Sequence, residues 1–77
     1  MLFDRIQFLW KSSSSGNGDC PSIMQVDGGY VLVGKVLDGE ALAQVHAIGQ
    51  ANNSGIGADE TAVFLPADVI DRIRETA

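Results

Sequence analysis

A chain of 77 residues and 8.1 kDa suffices for one domain, at the size where a single apolar core only just outweighs chain entropy, and it leaves little room for a large catalytic cleft. Five Lys and Arg against ten Asp and Glu give a net charge of −5 and a pI of about 4.4, which argues against a surface that binds phosphate backbones by counterion release. With 45% hydrophobic and 19% charged residues the composition is that of a globular chain, since disorder would need fewer apolar side chains and more charge.

The single cysteine, Cys20, cannot close a disulfide within the chain, so a reducing cytoplasm is the expected compartment. Asp4 and Arg5 stand where a signal peptide would need apolar residues, and no apolar run approaches the ~20 residues of a membrane span. Neither export by that route nor membrane insertion is expected.

The opening segment MLFDRIQFLW satisfies two periods at once. Ile6, Phe8 and Trp10 alternate as in a strand, whereas Leu2, Ile6 and Leu9 lie near helical spacing, and periodicity alone does not decide between them. Residues 11–19, KSSSSGNGD, form a turn-rich run that cannot bury a face and reads as a flexible loop. From Ser22 the pattern is β-like. Two apolar runs, Ser22 to Val26 and Tyr30 to Leu37, flank Asp27-Gly28-Gly29, and glycine at positive φ permits the primed or bulged turns of a hairpin. The second run is apolar on both faces near its start, as expected of a central strand or one covered by another subunit.

Asp38 is a candidate N-cap for a helix over 39–48, with Ala41, Leu42, Val45 and Ile48 as its apolar stripe and Gly49 as its stop. Residues 50–59, QANNSGIGAD, read as a second flexible loop. Residues 60–65 read as a third strand, ended by Pro66, which also opens a helix over 66–75. On that helix Val69, Ile70 and Ile73 share a face, Asp68 lies at the positive end of the helix dipole, and Asp68 and Arg72 form an i, i+4 pair. The expected fold is therefore α+β: one domain over 1–77, a small, mostly antiparallel sheet made of the hairpin 22–37 and the strand 60–65, a short helix at about 39–48 and a C-terminal helix at about 66–75.

Chemistry is sparse. His46 is the only histidine, and no second catalytic group is fixed near it by sequence. Cys20 has no flanking positive charge to lower its thiol pKa. One Cys and one His leave only scattered carboxylates for a metal, so neither a metal site nor a cofactor is expected. Gly16-Asn17-Gly18 lacks the helix and Lys-Ser/Thr of a phosphate-binding loop, and the serine run is open to phosphorylation. The five aromatics are Phe3, Phe8, Trp10, Tyr30 and Phe64, and the three in the first ten residues serve either to complete the core or to dock on a partner.

Trp10-Lys11-Ser12-Ser13, Ser15-Gly16, Gly18 and Cys20, followed by a hairpin, a last strand and Phe64-Leu65-Pro66-Ala67-Asp68 opening a helix, resemble the small acidic actinobacterial proteins grouped as domain of unknown function 397. The resemblance covers residues 10–37 and 60–74. The chain departs from that pattern in lacking a residue between Trp10 and Lys11, in Gly34-Lys35-Val36 after the second strand, and in Val69 where a Trp is common. Residues 38–59 read as an insertion, and several segments also resemble other short actinobacterial proteins without assigned functions.

What the resemblance implies is a cytoplasmic accessory protein that binds a helix-turn-helix regulator of the WhiJ or Xre type, sometimes as a toxin–antitoxin-like pair. The family carries no known catalytic residues. The expected function is thus a non-enzymatic regulatory protein-binding module, dimeric, with Trp10, Tyr30 and Phe64 as its apolar contacts, an acidic rim, and no direct contact with nucleic acid or membrane. The rival readings are a small toxin or enzyme working through Cys20 or His46, and a self-assembling structural subunit.

Overall fold

The opening segment is a strand. In the computed structural model, which describes residues 1–13 and 20–76, β1 (Ile6–Lys11) pairs antiparallel with β2 (Ser22–Val26), and β2 pairs antiparallel with β3 (Gly29–Val33). Cross-strand pairing settles what periodicity left open, because Ile6 opposite Val26 and Phe8 opposite Met24 place apolar side chains on one face of the sheet. A bulge between Phe8 and Trp10 then shifts the register by one, so that Trp10 faces Ile23 and joins the opposite face.

The hairpin turn contains only Asp27 and Gly28, with Val26 and Gly29 as its closing pair. Gly28 takes φ +81°, as the second central position of a type II turn requires, and Asp27 is not in the positive-φ region, so the turn is not the doubly positive I′ form. The Asp27 carboxylate accepts hydrogen bonds from the backbone N–H of Asp4 at 2.8 Å and of Arg5 at 3.3 Å, tying the chain ahead of β1 to the turn.

The α+β class stands, and the sheet is divided differently from the sequence expectation. The run 30–37 breaks at Gly34 into β3 and β4 (Lys35–Val36). The strand expected over 60–65 is only β5 (Val63–Phe64), and it pairs antiparallel with β4 in a separate two-stranded sheet, Lys35 opposite Phe64 and Val36 opposite Val63. The Leu37 N–H extends this ladder to the Ala62 carbonyl at 3.0 Å.

Two compact units result: residues 1–34 with 65–77, holding β1–β3 and α2 (Ala67–Thr76), and residues 35–64, holding β4, α1 (Gly39–Ala51) and β5. In α1 the helix runs three residues past its expected end. Asp38 occupies the N-cap position with extended backbone, but its carboxylate makes no capping hydrogen bond. Gly39 enters the helix at φ +52°, outside the helical region, so the first turn does not aim its N–H groups at the Asp38 side chain.

The segment expected as a loop over 50–59 folds back on α1. The Asn52 and Ser54 N–H groups both donate to the Gly49 carbonyl, at 2.9 and 2.7 Å, and Asn53 takes φ 58° in the turn that makes this possible. Gly49 is required there. A Cβ at this position would collide with the Ser54 carbonyl oxygen. Gly49→Ala is therefore expected to destabilise the fold by about 1–3 kcal/mol, the usual cost of overpacking, although alanine is the better helix former. Thermal unfolding followed by circular dichroism reads this directly, and an unchanged or raised Tm would contradict the close approach.

Candidate functional site

The best-defined polar constellation joins the end of β1 to the start of α2. Trp10, placed by the bulge on the face of Ile23, donates its indole N–H to the Val69 carbonyl at 2.9 Å. Val69 is fully buried, as is Ser12. The Ser12 hydroxyl lies 3.1 Å from both Asp68 carboxylate oxygens, and its N–H donates to the Pro21 carbonyl at 2.8 Å. Ser13 adds its backbone N–H at 2.9 Å and its hydroxyl at 3.1 Å to Asp68 Oδ2. The Arg72 guanidinium lies 5.3 Å from the Trp10 ring centroid, within cation–π range.

This clasp follows from the ends of two elements. Pro66 opens α2 and the Val69 N–H closes on its carbonyl at 3.1 Å, so Asp68 sits in the first helical turn, where a carboxylate is favoured by the dipole. Ser12 and Ser13 leave β1 just where they meet that carboxylate. The Ser13 N–H foremost, with the Ser12 and Ser13 hydroxyls, holds the Asp68 carboxyl below its ordinary value, against a smaller opposing effect of lost hydration. A carboxyl lowered in the folded chain contributes stability that is complete above its unfolded value, about 4, and that is lost as pH falls through the folded value. Asp68→Asn is accordingly expected to have a lower Tm at neutral pH and a shallower fall of Tm on acidification. Parallel Tm-against-pH curves for the two proteins would refute this role.

Beside the clasp lies an open groove of about 590 Å³, lined by Lys11, Ser13, Asp68, Asp71, Arg72 and Glu75. With two cationic and three anionic side chains it shows no single charge preference. Among the described residues no group of three or more His, Cys, Asp or Glu could hold a metal ion, and no helix is long and apolar enough to cross a membrane.

The expected contact residues separate. Trp10 is half-buried and engaged within the chain, whereas Tyr30 on β3 is 61% exposed and Phe64 on β5 is 57% exposed. Trp10 and Tyr30 share a sheet face by register, through Ile23 and Gln25 of β2, while Phe64 belongs to the other compact unit. His46 of α1 accepts the Ile56 N–H at Nδ1, 3.0 Å, which requires the proton on Nε2 and gives the ring a fastening role on the returning segment. Cys20 is half-buried just before β2. Gly16-Asn17-Gly18, Ser14, Ser15 and most of the loop expected over 11–19 lie outside the described residues.

Sequence reasoning missed Ser12, Ser13 and Asp68 as a unit. The only signal was their membership in the two segments on which the family resemblance rests, Trp10-Lys11-Ser12-Ser13 and Pro66-Ala67-Asp68. These segments bond to each other, so folding alone accounts for the residue types found there. No family model, no curated protein and no solved structure matches the chain.

Proposed function

We propose that this protein is a non-enzymatic regulatory binding module whose partner is a helix-turn-helix DNA-binding regulator. The observation that carries the reading is the amount of apolar side chain left uncovered. Among the described residues Ile23, Val26 and Val69 are the buried apolar side chains, while Phe8, Tyr30, Leu32, Ile48 and Phe64 are all more than 40% exposed. Scattered exposed apolar residues are normal, but an aromatic ring left half or more exposed in so small a chain fits an anchor for another protein. The net charge of −5 complements a basic DNA-binding surface, and such complementarity raises the rate of encounter and can mask that surface.

The test is capture of the tagged protein with its bound proteins from its native cytoplasm at moderate salt, with identification by mass. A stoichiometric helix-turn-helix protein is the expected result. Phe64→Ser should reduce its recovery without lowering Tm. Recovery of no such protein, or recovery indifferent to that substitution, overturns the reading.

A further inference from the structure

We propose that two copies of this chain pair through the free edge of β3, joining their three-stranded sheets into one six-stranded sheet in the order β1-β2-β3-β3-β2-β1. The three-stranded sheet has two edges, and they are built differently. β1 carries a bulge at Phe8/Trp10 and ends in Lys11, two of the devices by which edges discourage further pairing. β3, with the sequence Gly-Tyr-Val-Leu-Val, is in regular register throughout and has no charge, no proline and no bulge. Its aromatic and branched side chains are those that favour strands.

The register of the hairpin says which groups face outward. A two-residue turn makes its closing pair, Val26 and Gly29, a hydrogen-bonded one, and such pairs alternate along an antiparallel ladder. Gly29, Val31 and Val33 thus spend their N–H and C=O groups on β2, and Tyr30 and Leu32 turn theirs away from it. Among the described residues no backbone hydrogen bond reaches Tyr30 or Leu32 from any other part of the chain. Their side chains are 61% and 41% exposed, and Val33 beside them is 45% exposed.

These groups are self-complementary. An antiparallel two-fold centred on Val31 sets Tyr30 of each copy opposite Leu32 of the other, so both pairs exchange N–H and C=O groups and an aromatic meets an aliphatic side chain directly across the seam. No like charges are brought together along the strand, despite the net charge of −5 on each copy.

The purified full-length chain tests this without any regulator, so the outcome is independent of the function proposed above. Sedimentation equilibrium should give twice the monomer mass, and hydrogen exchange should show protected amides at Tyr30 and Leu32. With Cys20→Ser as background, Val31→Cys should cross-link to its own copy on oxidation, because a non-hydrogen-bonded pair lies about 4.5 Å apart at Cα, within disulfide range. Gln25→Cys on the central strand, in the same background, should not. Leu32→Pro, which removes an outward N–H and no β2–β3 bond, should yield a monomer with the far-ultraviolet spectrum retained. A monomeric wild type, a dimer whose Tyr30 and Leu32 amides exchange freely, or equal cross-linking at positions 25 and 31 would each overturn the proposal.

Discussion

Trp10→Ala is expected to lower stability by about 3–5 kcal/mol, the range for removing a large aromatic from a packed site. Three contributions are lost together: the packing of the ring beside Ile23, the indole hydrogen bond to Val69 and the cation–π contact with Arg72. Arg72 is exposed, so the last is the smallest, about 0.5–1 kcal/mol. For a domain of this size each 1 kcal/mol moves Tm by roughly 4–8 °C, so the variant should melt at least about 12 °C lower or fail to fold. Trp10→Phe is the intermediate variant, since it keeps an apolar ring under Arg72 but loses the indole donor to Val69, about 0.5–1.5 kcal/mol, together with part of the ring's packing, so its Tm should fall between those of the wild type and Trp10→Ala. Thermal unfolding of the three proteins measures this. A Trp10→Ala variant with unchanged Tm would mean that the ring is an external anchor and not the clasp between β1 and α2.

Ile23→Ala is the second large effect. Ile23 is 1% exposed at the centre of the three-stranded sheet, between Trp10 on β1 and Leu32 on β3. Truncating such a side chain costs about 2–5 kcal/mol, the lost transfer free energy plus the cavity left behind. Small domains hold total stabilities near the low end of about 5–15 kcal/mol, so this single change approaches the whole. Ile23→Val, at about 0.5–1.5 kcal/mol, is the graded control. Urea titrations should order the three proteins accordingly; an Ile23→Ala midpoint equal to that of Ile23→Val would place the core elsewhere.

The two substitutions act on one small core from different sides. Among the described residues Ile23 and Val69 are its fully buried apolar side chains, and Ser12 is the fully buried polar one, hydrogen-bonded to the Asp68 carboxylate. A buried hydroxyl that loses a hydrogen-bond partner costs about 1–3 kcal/mol, so Ser12 is tied to Asp68 as Trp10 is tied to the helix. A domain with so few buried apolar residues depends on each of them, and on what covers the surface that remains.

Much of the local structure was legible in the residues themselves. The hairpin showed because alternation and a glycine turn are properties of neighbours in the chain, and Gly28 takes the positive φ that only a residue like glycine adopts at low cost. The C-terminal helix showed because Pro66, Asp68 and the spacing of Val69, Ile70 and Ile73 act within a few turns of one another. Tyr30 and Phe64 were legible as exposed aromatics only in part, and Trp10, placed with them by its type, proved to be engaged within the chain.

Neighbouring residues thus specify the local elements, their polarity and the net acidic charge. Which elements meet depends on contacts between segments distant in the chain. The opening segment is a strand because β2 offers it a ladder, not because its own periodicity prefers one. β5 joins β4 instead of the hairpin, since the break at Gly34 ends β3 and begins a second, separate pairing. Asp68 meets Ser12 and Ser13 from more than fifty residues away. Within the helix it has only Arg72 at i+4 as a readable partner, and short-range spacing holds no information on a contact whose loop-closure entropy is met by the packing of Trp10 and Val69.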